Sequence, residues 1–259
     1  MDIFYSFFIT SLAGLATMLG TFVIFFSSKN KDKIITSSLS FASGVMVCVS
    51  LLDLMPESLN MLNNNLNLFL SIILFLIFLC IGVLTSMAID KYLPETKENT
   101  KLYRVGIISM LAIIFHNIPE GIATFMASSM DKTLGISLAI AIAMHNLPEG
   151  ISIAVPIYYS TNKKSKAFIY TFISAISEPF GALIAFIFLK NFVNDIFMGL
   201  LFSFIAGIMI HISFYELLPE SKRYKNYKLT SIFFIIGIIF MCINLRIILV
   251  IFFRRNKNE

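Results

Sequence analysis

The sequence predicts an all-α integral membrane protein: eight transmembrane helices in a 3+2+3 arrangement with inverted repeats. Three observations predict it. Of 259 residues, 58% are hydrophobic and only 14% charged, against about a quarter charged in a soluble domain. The apolar residues form continuous runs of roughly 20, the length that crosses a bilayer as a helix. Two stretches of sequence recur on segments that must cross in opposite directions. A mean hydropathy of +0.86 agrees. A soluble enzyme, a disordered tail, a disulfide scaffold and a nucleic-acid binder are excluded. The runs lack period-2 alternation, which excludes transmembrane β-strands.

The helices follow one another with little left between them. Helix 1 (3–26) is too long, and lacks the basic start, for a cleavable signal. Lys29, Lys31 and Lys33 lead into helix 2 (34–57), which ends outward at Asp53 and Glu57. Helix 3 (67–90) is followed by Lys91, Lys97, Lys101 and Arg104, then by helix 4 (106–130). Lys132 marks the turn into helix 5 (134–158), and Lys163, Lys164 and Lys166 precede helix 6 (167–189). After Lys190 comes helix 7 (197–220), ending inward at Glu216 and Glu220. Lys222, Arg223, Lys225 and Lys228 lead to helix 8 (229–253) and the tail with Arg254, Arg255 and Lys257. The whole of 1–259 reads as one polytopic membrane domain.

Fourteen of the twenty basic residues lie in the loops after helices 1, 3, 5 and 7. The positive-inside rule makes those loops cytoplasmic and both termini extracytoplasmic, in a multi-pass protein of the cell membrane. The basic tail runs against this bias. Cys48, Cys80 and Cys242 lie singly in different runs, so they read as small buried hydrophobes rather than a disulfide framework or a thiolate zinc site.

The repeats carry the chemistry. His116-Asn117-Ile118-Pro119-Glu120-Gly121 matches His145-Asn146-Leu147-Pro148-Glu149-Gly150 in five of six positions. Phe41 to Ser58 (FASGVMVCVSLLDLMPES) aligns without gaps with Phe204 to Ser221 (FIAGIMIHISFYELLPES), sharing eight identities. The first pair lies on helices 4 and 5 and the second on helices 2 and 7, so each pair is antiparallel. Helices 1–3 and 6–8 become two related halves around a central pair. Inverted repeats meeting at mid-bilayer point to a secondary transporter.

Helices 4, 5 and 6 are centred near 118, 146 and 178, which puts both HNxPEG motifs and Glu178 at one depth. A charged carboxylate there costs about 2.5–3.5 kcal/mol on the lenient insertion scale, and three together demand a cation. At about 100° per residue, Glu120 falls between the His116 and Asn117 directions of its helix, and Glu149 does the same between His145 and Asn146. Two facing helices then form adjacent pockets with shared carboxylates. His116, His145, Glu120 and Glu149 offer nitrogen and oxygen suited to Zn²⁺. Asn117, Asn146, Glu120, Glu149 and Glu178 offer only oxygen, suited to harder ions such as Fe²⁺ or Mn²⁺. Pro119 and Pro148 free the carbonyls of Phe115 and Met144 and predict a bent turn. Singly, each of these His and Glu residues is compatible with hydrogen-bonded structure; the duplication argues for a site.

HNxPEG on two successive helices, with Glu-Pro on the next, resembles the ZIP (Zrt-/Irt-like) family of metal transporters. The short loops are similar to its bacterial zinc-uptake branch, and the resemblance covers nearly the whole chain. It implies eight helices in a 3+2+3 inverted fold that moves divalent metal into the cytoplasm through a binuclear site. It would assign His116, Glu120, His145 and Glu149 to the zinc-type position. Asn117, Asn146 and Glu178, with the shared glutamates, would form the second. The segment Lys91–Arg104 departs from many family members in having no histidine.

Pathway candidates are Met46 and its repeat mate Met209, Asp53, His211 and Glu216. For the methionines ordinary packing competes, and for Glu57 and Glu220 a solvated helix end does. No GxxxxGK[ST] stretch is present, so the energy comes from the metal gradient or membrane potential. The expected partners are divalent cations (Zn²⁺ foremost, with Fe²⁺, Mn²⁺, Co²⁺ and Cd²⁺) and the lipid bilayer, without nucleic acid; a homodimer stays open. The competing readings are an intramembrane metalloenzyme and a sensor that binds metal without moving it. The enzyme reading suffers from order: HExxH requires Glu where Asn117 and Asn146 stand, and a di-iron bundle uses Glu-x-x-His.

Overall fold

The computed structural model describes residues 2–25, 30–92, 101–188 and 194–255, with side chains described up to 246. Lys29, Lys97, Lys190 and Lys257, which entered the charge count, fall outside these, as do the side chains of Arg254 and Arg255. Among the described residues, eight helical segments are long and apolar enough to cross a membrane. They are α1 (Ile3–Phe25), α2 (Lys31–Asn65), α3 (Leu68–Tyr92), α4 (Lys101–Met130), α5 (Lys132–Thr161), α6 (Lys164–Phe188), α7 (Asp195–Lys222) and α8 (Tyr227–Arg255).

The packing repeats as the sequence does. The central pair α4 and α5 is flanked by α6 on α4 and by α1 on α5, while α2 packs on α8 and α7 on α3. Glycines set the close approaches of the outer pairs. A Cβ on Gly44 of α2 would overlap the Phe234 carbonyl of α8, and one on Gly237 the Phe41 carbonyl. In the other half, Gly207 of α7 meets the Leu79 carbonyl of α3, and Gly82 the Phe204 carbonyl. Gly44 and Gly207, like Phe41 and Phe204, are equivalent positions of the longer repeat. Small residues let helix backbones touch where lipid supplies no hydrophobic drive for association.

The irregularities also come in pairs, and they correct two expectations. No turn interrupts the helices that carry Pro119 and Pro148: α4 and α5 wind unbroken through them. The irregular turns lie in their neighbours. In α2 the Met55 N–H bonds the Ser50 carbonyl, five residues back. In α7 the Leu218 N–H does the same to Ser213. These wide turns sit directly before Pro56 and Pro219, where a regular ladder would clash with the proline ring. The helix therefore continues, and α2 runs to Asn65 instead of stopping at 57. Asp53 and Glu57 are interior positions of that helix, not its end. α4 begins at Lys101, earlier than 106, where Arg104 pairs with Asp90 at the end of α3 at 3.1 Å. The α-helical winding of α1 gives way to a 3₁₀ segment, Ala16–Phe25, and α6 is interrupted at Ile176.

The outer face is apolar, with Phe4, Phe69, Leu84, Phe168 and Ile187 all more than half exposed. Such a surface needs lipid. Cys48 and Cys242 are neighbours, Sγ to Sγ 3.5 Å, whereas Cys80 faces outward rather than into the core.

Candidate metal centre

The regular winding of α4 and α5 stacks each His over the Glu four residues later, and their antiparallel crossing sets the two copies face to face. Glu120 Oε1 lies 3.1 Å from Nε2 of His116 on its own helix and 2.9 Å from Nε2 of His145 on the other. Glu149 Oε1 lies 3.3 Å from His116 Nε2. The two imidazole centroids are 5.8 Å apart. All seven residues singled out on α4, α5 and α6 are buried, none more than 7% exposed.

The donor atoms of His116, Glu120 and His145 lie within 4.8 Å of one another. Zinc bonds of about 2.0–2.2 Å in a tetrahedron put donors somewhat over 3 Å apart, so little movement is needed to seat an ion. The group is also short of partners. Among the described residues, Glu120 Oε2, Glu149 Oε2 and Nδ1 of each histidine are buried without a hydrogen bond, and Glu149 Oε1 has only its 3.3 Å approach to His116. Buried polar atoms left unpaired are costly, most of all in hydrocarbon. The carboxylate oxygens and the Nε2 atoms that face them are a donor set that suits a divalent cation.

The asparagine side is built differently. Asn146 Nδ2 donates to Glu178 Oε2 at 2.8 Å and to the Ala13 carbonyl at 3.0 Å. Glu178 is reached because α4 and α6 nearly touch: a Cβ on Gly121 would overlap the Glu178 carbonyl, and one on Gly181 the Ile118 carbonyl. Glu178 Oε1 and both amide atoms of Asn117 are buried and unpaired. The structure thus joins Asn146 to Glu178 directly, and leaves the Asn117 amide without a hydrogen-bond partner among the described residues. The Ala13 carbonyl had no sequence signal, since every residue carries one and the packing of α1 on α5 decides which of them meets Asn146.

The pathway candidates divide. Asp53 and Glu57 line a cavity of about 430 Å³ that also reaches Glu120 and His145, walled by Met61, Leu138, Ile142 and Phe202. The wide turn at Ser50–Leu54 carries Asp53 there. Met46 and Met209 are buried in α2 and α7, and neither is among the residues lining that cavity. His211 is not brought to the cluster: its Nδ1 lies 2.9 Å from Ser86 Oγ of α3, and its ring stacks on Tyr215 at 4.9 Å. Glu216 is buried in the wide turn of α7, and Glu220 pairs with Arg223 at 3.3 Å.

The chain is similar to known proteins over nearly its whole length. The sequence profile described as ZIP Zinc transporter matches residues 2–102 and 95–245. The chain is 38% identical to "Zinc transporter ZupT" of Clostridium perfringens, covering 94% of this chain and 96% of the relative. It is 38% identical to the protein of the same name from Chlorobaculum parvum, covering 96% and 99%. A third, from Streptococcus mutans, is also 38% identical, covering 94% and 97%.

Proposed function

The chain belongs to the ZIP family of zinc transporters, and from that premise we propose how its residues carry the cargo. Zinc crosses the membrane through the buried group of His116, Glu120, His145 and Glu149. One observation carries the assignment: nitrogen and carboxylate donors from two crossing helices converge inside the apolar bundle with several of their atoms unpaired. Asn117, Asn146 and Glu178, sharing the two glutamates, hold a second and harder cation such as Fe²⁺ or Mn²⁺. Co²⁺ and Cd²⁺ follow the same route.

Cations enter from the extracytoplasmic side through the cavity floored by Glu120 and His145, drawn by Asp53 and Glu57. They leave along α7 past Glu216. The protein works in the cell membrane, and one helical group rocks against the other around the central pair. Inward movement of a divalent ion gains about 4.6 kcal/mol per 100 mV of membrane potential, which suffices without ATP.

Radioactive zinc flux into sealed proteoliposomes, set beside equilibrium binding to the same vesicles, tests the reading. Saturable accumulation well beyond the bound stoichiometry is expected. Binding without accumulation would make the protein a sensor, and outward-only movement would reverse the direction.

A further inference from the structure

The inverted symmetry extends to α1 and α6, where the sequences barely show it. A Cβ on Gly150 of α5 would overlap the Thr17 carbonyl, just as one on Gly121 of α4 would overlap the Glu178 carbonyl. A Cβ on Gly20 would meet the Leu147 carbonyl, as one on Gly181 meets that of Ile118. Gly121 and Gly150, and Ile118 and Leu147, are the same positions of the two HNxPEG copies. α-Helical winding gives way at Ala16 in α1 and is interrupted at Ile176 in α6, one residue before Thr17 and two before Glu178. Thr17 therefore stands to α5 as Glu178 stands to α4.

Glu178 uses that place to meet the asparagine of the opposite copy, Asn146. By the same symmetry Thr17 belongs with Asn117. Both are fully buried, and both have unsatisfied polar atoms: the Thr17 hydroxyl, and the amide oxygen and nitrogen of Asn117. The Thr17 hydroxyl shares its lack of a hydrogen-bond partner among the described residues with those of Ser109, Thr124, Tyr159, Ser174 and Thr230, and of these it is the one that the symmetry sets opposite an HNxPEG asparagine. Thr10, Thr21, Ser50, Thr171 and Ser213 all donate to a carbonyl three or four residues back on their own helix. Thr17 does not, and a buried hydroxyl without a partner is expensive.

We propose that Thr17 and Asn117 form a neutral oxygen subsite of the asparagine-lined pocket, the mirror of that made by Glu178 and Asn146, and that it ligates a hard divalent cation. The proposal rests on reading that pocket as a metal site. Its chemistry follows from the donors. Hydroxyl and amide oxygens suit Mn²⁺ and Fe²⁺ better than Zn²⁺, and they add a ligand without a fourth buried carboxylate charge.

The test measures Mn²⁺ binding to the purified full chain in nanodiscs, from the electron-spin resonance signal of free Mn²⁺, with Zn²⁺ binding by calorimetry alongside. Thr17→Val keeps the shape and removes the oxygen. It is expected to weaken Mn²⁺ about tenfold, the size of one lost polar contact. Zinc affinity should stay within about twofold because its nitrogen-containing pocket is untouched. Thr17→Ser should bind Mn²⁺ like the wild type. Wild-type Mn²⁺ affinity in Thr17→Val, alongside a loss in Glu178→Gln, would overturn the mirror subsite and leave the pocket standing. Unchanged affinity in both variants would overturn the pocket as well. Equal losses of Mn²⁺ and Zn²⁺ in Thr17→Val, unrepaired in Thr17→Ser, would show a packing role and also overturn the proposal.

Discussion

His145 Nε2 lies 2.9 Å from Glu120 Oε1, so the second copy of the HNxPEG motif is tied to the first across the central helix pair. Neither helix holds the group alone: α4 supplies a carboxylate that two imidazoles approach, and α5 supplies one of those imidazoles. A site divided between two helices responds to any motion that separates them, which a transporter requires and a static fold does not.

Neutralising the shared carboxylate removes a buried charge that the metal-free protein tolerates at a cost. Glu120→Gln is expected to melt no lower than wild type without metal, and to lose the stabilisation that zinc provides. Zinc at about 100 times its dissociation constant adds about 2.7 kcal/mol to a protein that binds it when folded. Melting curves in nanodiscs with and without zinc check both halves.

The two outer helix pairs should fail alike. Gly44→Val and Gly207→Val each push a side chain into a backbone carbonyl of the neighbouring helix, Phe234 and Leu79 respectively. Each substitution should cost about 1–3 kcal/mol, the usual range for overpacking. Comparable losses in melting temperature are expected for the two, and a loss confined to one would break the equivalence of the halves.

Much of this fold was legible because a bilayer leaves few alternatives: continuous apolar runs become helices, and a charge buried among them requires a reason. The convergence of His116, Glu120 and His145 was legible from a spacing of four and its repetition on the next helix. The distribution of irregular backbone was not. Pro119 and Pro148 sit in unbroken helices, while Pro56 and Pro219 are each preceded by a wide turn, and the residues alone do not distinguish the two cases. Those turns fix where Asp53 and Glu216 lie, so their depth was hidden too. The contact of His211 Nδ1 with Ser86, far away in sequence, had no signal either. Thr17 had no legible motif, because the register relating α1 to α6 survives in backbone contacts rather than in residue identities.

Asp53 lines the cavity that reaches the cluster, without belonging to the group of closest donors. Asp53→Asn should therefore raise the KM for zinc uptake several-fold at low salt, with a smaller change in maximal rate. The difference should shrink as the screening length falls from about 10 Å at 0.1 M to about 3 Å at 1 M salt. Uptake kinetics at the two ionic strengths supply the check.

His211 is held by Ser86 and Tyr215 rather than by the cluster. His211→Asn should cost about 1 kcal/mol of stability, a typical value for one buried hydrogen bond. Zinc uptake per folded molecule is expected to stay near the wild-type value. A collapse of uptake in a stable His211→Asn protein would place this residue on the path.

Zinc flux by the Glu120→Gln, Glu149→Gln double variant is the most direct test of the central claim. It is measured in sealed proteoliposomes at matched protein density, beside the wild type. The account predicts that flux drops to the level of protein-free vesicles while the variant remains folded. Wild-type flux through that variant would show that zinc crosses somewhere else in the bundle, and would contradict the assignment of the buried His–Glu group as its path.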